Sequence, residues 1–164
     1  MTNILVLCTG NSARSMIGEA LVNMLGEGRF HGFSAGSAPR GEPHPMTLVL
    51  LREKGYDVST LRSKSWDEYA APGAPRMDVI ITVCDNAANE SCPYWPGHPV
   101  QAHWGLPDPA AVEGDGQRAA FEAAWDALRT RFLELASLDI AGLSPSDARA
   151  AVQAIHDRLS RSSA

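Results

Sequence analysis

The chain has 164 residues, 45% of them hydrophobic and 20% charged, with a net charge of −5. That length suits one domain around one core, and the apolar content excludes a disordered chain. The acidic balance, with no Lys/Arg cluster, excludes nucleic acid as an expected partner, and no apolar run reaches the ~18 residues of a membrane helix.

Residues 3–7 are an apolar run of β-formers and read as a buried strand. Nothing before them resembles the basic start of a signal peptide, so a cytoplasmic protein is expected. Residues 15–25 carry apolar side chains at helical spacing (Met16, Ile17, Ala20, Leu21, Met24, Leu25), and Gly26 ends the run. Residues 30–34 read as a second short strand. Pro45 opens a helix over residues 45–54 with Leu48, Val49 and Leu51 on its inner face, and Gly55 stands at its C-terminal cap. Residues 65–70 fit one helical turn. Residues 77–83 form the clearest strand, nearly continuous in apolar character as expected of a strand covered on both faces. A polar loop spans residues 84–99, and residues 100–104 are a fourth strand. Residues 116–138 form a long amphipathic helix with Phe121, Trp125, Leu128, Phe132 and Leu135 on one side. Ser144-Pro145 caps a last helix ending near Leu159, with 161–164 as a frayed tail.

Alternation of strand and helix predicts an α/β fold with a small parallel sheet. Ligands on such sheets bind beyond the C-terminal strand ends. Cys8, Cys84 and Asp108 all fall at or just past such ends.

The strongest chemical signal is Cys8-Thr9-Gly10-Asn11-Ser12-Ala13-Arg14-Ser15, a Cys, five residues, an Arg and a Ser between a strand and a helix. A loop of this length, curled back on itself, aims successive backbone N–H groups into one concavity suited to a tetrahedral anion. Gly10 and Asn11 tolerate the positive φ that such a curl needs. The following helix N-terminus adds positive potential, and Arg14 offers a planar fork for two anion oxygens. These groups also favour the thiolate of Cys8, and Ser15 places a hydroxyl within its reach. Residues 8–14 are thus the expected oxyanion cradle, with Cys8 as nucleophile. Asp108, held between Pro107 and Pro109, is a candidate proton donor on a stiff segment.

Three cysteines without a secretory context are buried thiols, metal ligands or redox groups. All three roles are open for Cys84 and Cys92, which seven polar and small residues separate. Zinc binding by this pair with His98 and His103 is disfavoured, because the short Cys-x2-Cys spacing of structural sites is missing.

The loop after the first strand and the segment Leu106-Pro107-Asp108-Pro109 together resemble the low-molecular-weight protein tyrosine phosphatase family, over residues 4–108. The resemblance implies a single three-layer α/β domain over residues 1–160, with a four-stranded parallel sheet flanked by helices. It implies Asp108 as general acid and Arg14 and Ser15 as partners of Cys8. The phosphatase branch carries aromatic residues after its Asp-Pro, whereas Ala110-Ala111 follow here, which argues against phosphotyrosine. Cys84 and Cys92 instead look like the second and third thiols of the thioredoxin-linked arsenate reductases on this fold. The implied activity is arsenate reduction through Cys8, Cys84 and Cys92, with no tightly bound cofactor and no metal. Arsenate and arsenite are then the small-molecule partners, with phosphate or sulfate as mimics. Thioredoxin is the expected reductant, glutaredoxin or mycothiol being variants, and a monomer is expected. The rivals are a phosphate monoesterase and a non-catalytic oxyanion-binding or redox-sensing module.

Glu19, Ser34 and Asn11 fit either a monovalent-cation site or a loop-stabilising network in relatives of this type, and Glu19 by itself reads as a surface helix residue. His44 either assists the loop or is simply exposed. Trp95, Trp104 and Trp125 read as packing residues.

Overall fold

The computed structural model describes residues 1–84, 95, 97 and 99–162. Four parallel strands, β1 (Thr2–Cys8), β2 (Phe30–Gly36), β3 (Val79–Thr82) and β4 (Val100–His103), form a sheet in the order β2-β1-β3-β4. Helices α1 (Arg14–Leu25), α2 (Pro45–Glu53), α3 (Asp67–Ala70), α4 (Gln117–Ala136) and α5 (Pro145–Ser162) flank it. The register aligns Cys8 with Gly36, Leu7 with Thr82 and Thr82 with His103. The C-terminal ends of the strands therefore share one edge, where the chemical residues gather. No helix among the described residues is long and apolar enough to cross a membrane.

The period of two along β1 sorts its side chains to opposite faces. Ile4, Val6 and Cys8 join Ile17, Leu21, Leu50, Trp104, Phe121, Leu128 and Phe132 in the larger core. Leu5, Leu7 and Ile80 join Ala35, Trp66, Met77 and Trp95 in the smaller one on the other face. Trp95, Trp104 and Trp125 are all buried, as packing residues should be. Trp104 also satisfies its indole N–H on the Val152 carbonyl at 3.0 Å, which ties α5 to the sheet. Strand β4 is an edge, and the Gln153 amide closes it, accepting from the His103 N–H and donating to its carbonyl, both at 2.8 Å.

Three local expectations are corrected. Residues 15–22 of α1 are buried without a break, while Met24 is 38% exposed, so the helix shows no polar face over that stretch. The inner face of α2 is Thr47, Leu50 and Leu51, and Val49 points outward. Thr47 is inside because its hydroxyl donates to the Ser12 carbonyl at 2.7 Å, a use of polarity that apolar spacing cannot register. Helix α5 continues through Arg161 to Ser162, past the start of the expected tail.

Candidate active site

Strand β1 delivers Cys8 to the sheet edge, and α1 begins at Arg14. The loop between them turns its carbonyls outward. A strap of residues 37–44 meets them in order: the N–H groups of Ser37, Ala38, Arg40 and His44 donate to the carbonyls of Cys8, Thr9, Gly10 and Ser12 at 3.3, 2.9, 2.9 and 3.0 Å. Carbonyls held outward leave amide N–H groups facing the other way, the polarity that an anion requires. Asn11 takes the left-handed conformation (φ 44) that the curl needs, but Gly10 does not. At Gly36, where β2 ends under the loop, an added Cβ would fall on the Thr9 carbonyl oxygen.

A directional hydrogen-bond chain supports Cys8 from beneath. The backbone N–H of Lys64 can only donate, so the Asn11 atom 2.9 Å from it is the carbonyl oxygen. The Asn11 amide nitrogen therefore faces Ser15 Oγ at 2.8 Å and Ser34 Oγ at 3.1 Å. Ser15 accepts there, which frees its hydroxyl proton for Cys8 Sγ, 2.9 Å away. The Asn11 N–H reaches the same sulfur at 3.2 Å. Burial nevertheless pushes the Cys8 thiol up, against the Ser15 and Asn11 hydrogen bonds, and the nearby Cys84 adds to the rise. The Ser15 and Asn11 contacts favour the thiolate, as the sequence leads one to expect, and burial acts against them. The donors are present, but desolvation outweighs them.

The other end of the chain is a buried ion pair. Ser34 donates to Glu19 Oε1 at 2.7 Å, and Lys64 Nζ lies 3.9 Å from the same oxygen. Glu19 is 9% exposed and Lys64 8%, so Glu19 is no surface residue but part of the loop's support. Burial raises the Glu19 carboxyl, opposed by Lys64, and burial likewise lowers the Lys64 ammonium. Apart from His44, the strap carries no signal in the sequence, and neither does Lys64, since backbone groups make much of their contact with the loop.

Arg14 donates to the Leu106 carbonyl at 2.8 Å, and another of its nitrogens lies 3.7 Å from Asp108 Oδ2. The second Asp108 oxygen caps the 3-10 turn Pro109–Ala111 by accepting from the Ala110 N–H at 3.0 Å. One carboxylate oxygen is thereby fixed while the other faces the loop's guanidinium. Ala110 and Ala111 belong to this capped turn. Cys84, buried just past β3, has its sulfur 3.4 Å from Thr9 Oγ1, so a second reduced thiol borders the loop. Cys92 and His98 lie outside the described residues. His44 supports the loop: its backbone binds Ser12, and its ring nitrogen caps α2 by accepting from Met46.

Residues 3–144 match the low molecular weight phosphotyrosine protein phosphatase family. The chain belongs to that family. An arsenate reductase of Bacillus subtilis is 33% identical to this family member over 135 residues, 81% of this chain and 94% of its own. A thioredoxin-dependent arsenate reductase of Corynebacterium glutamicum superposes with a TM-score of 0.58 at 26% identity, over 79% of this chain and 59% of its own. An arsenate reductase in a phosphate-binding state shares the fold, with a TM-score of 0.69 at 24% identity over 84% and 98% of the two chains.

Proposed function

We propose that this member of the family is an arsenate reductase. The observation that carries the proposal is the buried thiol of Cys84 against Thr9 of the anion loop. Hydrolysis of a phosphate ester has no use for a second thiol there. Reduction of a bound oxyanion needs one.

In the proposed cycle the loop amides and Arg14 hold arsenate, a tetrahedral anion of phosphate's shape. Cys8 thiolate attacks arsenic, and one arsenic–oxygen bond breaks. Asp108 protonates the departing oxygen, which leaves as water. Cys84 thiolate then attacks Cys8 Sγ. The sulfur–arsenic bond breaks with its electron pair on arsenic, As(V) becomes As(III), and arsenite departs from a Cys8–Cys84 disulfide. Cys92 attacks Cys84 and frees Cys8, and thioredoxin reduces the Cys84–Cys92 disulfide by exchange. The Corynebacterium relative supports thioredoxin as the reductant. The Ser15 hydroxyl and Asn11 N–H are the groups that hold the charge on Cys8 during attack and release.

A cleft of about 530 Å³ borders Asp108 and is lined by Leu106, Pro109, Val112 and Ala124 among others. It is the observation that favours a second reading, hydrolysis of an aryl phosphate. Arsenate-dependent NADPH oxidation with thioredoxin and its reductase separates the two. Sustained oxidation supports the reductase. No oxidation together with brisk aryl phosphate hydrolysis refutes it.

A further inference from the structure

The strap over the loop carries a cation whose side chain is unused in the chemistry above. Arg40 donates its backbone N–H to the Gly10 carbonyl at 2.9 Å, and its side chain lies against Gly10 itself. A Cβ built on Gly10 would stand 3.1 Å from Arg40 Nε, 3.3 Å from its Cγ and 3.4 Å from its Cδ. Because Gly10 does not have positive φ, its backbone does not require glycine. What the missing side chain provides is room for the Arg40 stem against the loop.

The cations around the loop differ in what neutralises them. Arg14 faces Asp108, Arg62 pairs with Glu68, and Lys64 faces Glu19. Arg40 is exposed and makes no ion pair among the described residues. The chain as a whole carries a charge of −5, so its overall field repels an approaching anion. A local uncompensated cation is the device that overcomes such a field at one mouth.

We propose that Arg40 is a second anion-recognising residue of this site: its stem lies in the space left by Gly10, and its charge draws a doubly charged tetrahedral oxyanion toward the Cys8 loop. It acts on capture and retention of the anion and does not touch the reacting atoms. The inference builds on the oxyanion reading of the loop and refines the arsenate assignment, so it is tested by binding as well as by turnover.

The experiment measures inorganic phosphate affinity by calorimetry for the wild type, Arg40→Ala, Arg40→Lys and Arg40→Glu, at about 20 mM and about 300 mM NaCl. Arg40→Ala weakens binding about three- to fivefold at low salt, the gap narrows at high salt, Lys restores most of the affinity and Glu weakens it further. In the coupled arsenate assay the Ala variant raises KM and leaves kcat unchanged. Wild-type affinity in Arg40→Ala at low salt overturns the proposal. So does a loss that salt does not alter or Lys does not restore, since that is the behaviour of a purely structural strap residue. If wild type binds phosphate but reduces no arsenate, the reductase reading fails while the Arg40 result still stands or falls by the phosphate data.

Discussion

Replacing Lys64 by Met leaves the Glu19 carboxylate buried without its cation. At 3.9 Å and an effective dielectric of about 20, the lost attraction is about 4 kcal/mol. Part of this is recovered because the ammonium no longer has to be desolvated, and Ser34 still donates to Glu19. The Arg62 carbonyl also loses its 2.7 Å partner. The expected net loss is about 3 kcal/mol near about pH 8, within the range for breaking a buried pair from one side. The pH dependence follows from Glu19. Burial holds its carboxyl above the ordinary range, so the folded state binds the proton more readily than the unfolded chain does. Stability from this group is complete below the unfolded carboxylate range and is lost as pH rises through the folded value. Removing Lys64 takes away the opposing influence and raises that value further. The penalty of Lys64→Met is therefore small near pH ~5 and largest near pH ~8, where Glu19 is ionised and Lys64 still carries its charge, and Glu19→Gln in the same chain relieves most of it. Urea unfolding of both variants across that range is the assay. A loss under about 1 kcal/mol at the alkaline end, or one that does not vary with pH, refutes the buried-pair reasoning.

Three further outcomes follow from the loop. In a Cys84→Ser/Cys92→Ser background, Ser15→Ala removes a donor to Cys8, so thiolate absorbance rises at a higher pH than in the parent; an unchanged titration means that Ser15 does not donate to the sulfur. Asp108→Asn lowers kcat by about 10²- to 10⁴-fold while phosphate binding is kept, and a wild-type kcat removes Asp108 from the proton-donor role. Gly36→Ala forces a Cβ against the Thr9 carbonyl, costs about 1–3 kcal/mol and weakens phosphate binding; a chain that tolerates it unchanged shows that the loop yields easily there.

The legible parts of the site were those written contiguously. Cys8 through Ser15 states strand end, loop and helix start in one stretch, and Asp108 announces itself by its flanking prolines. The support beneath the loop was illegible for physical reasons. Lys64 contributes its backbone N–H to Asn11, 53 residues away in sequence, and any residue but proline has that donor. The strap likewise works through N–H groups that leave no mark in side-chain pattern. Charge in a helix is ordinarily solvated, so Glu19 by itself reads as a surface residue and only its likeness to relatives points to the loop network, yet α1 is buried over residues 15–22 between the sheet and its neighbouring helices. Thr47 escaped the same way, a polar residue inside because it has a polar partner there. The sheet itself was readable, since β1 and β3 are buried nearly throughout and carry the continuous apolar runs of covered parallel strands.

The relay from Cys8 to Cys84 is the central claim, and Cys92→Ser isolates it. With the third thiol gone and no thioredoxin present, arsenate should yield one equivalent of arsenite per protein and then stop. Non-reducing peptide mapping of the stalled protein should find Cys8 joined to Cys84. Unmodified thiols and no arsenite from a folded, phosphate-binding Cys92→Ser chain would contradict the claim.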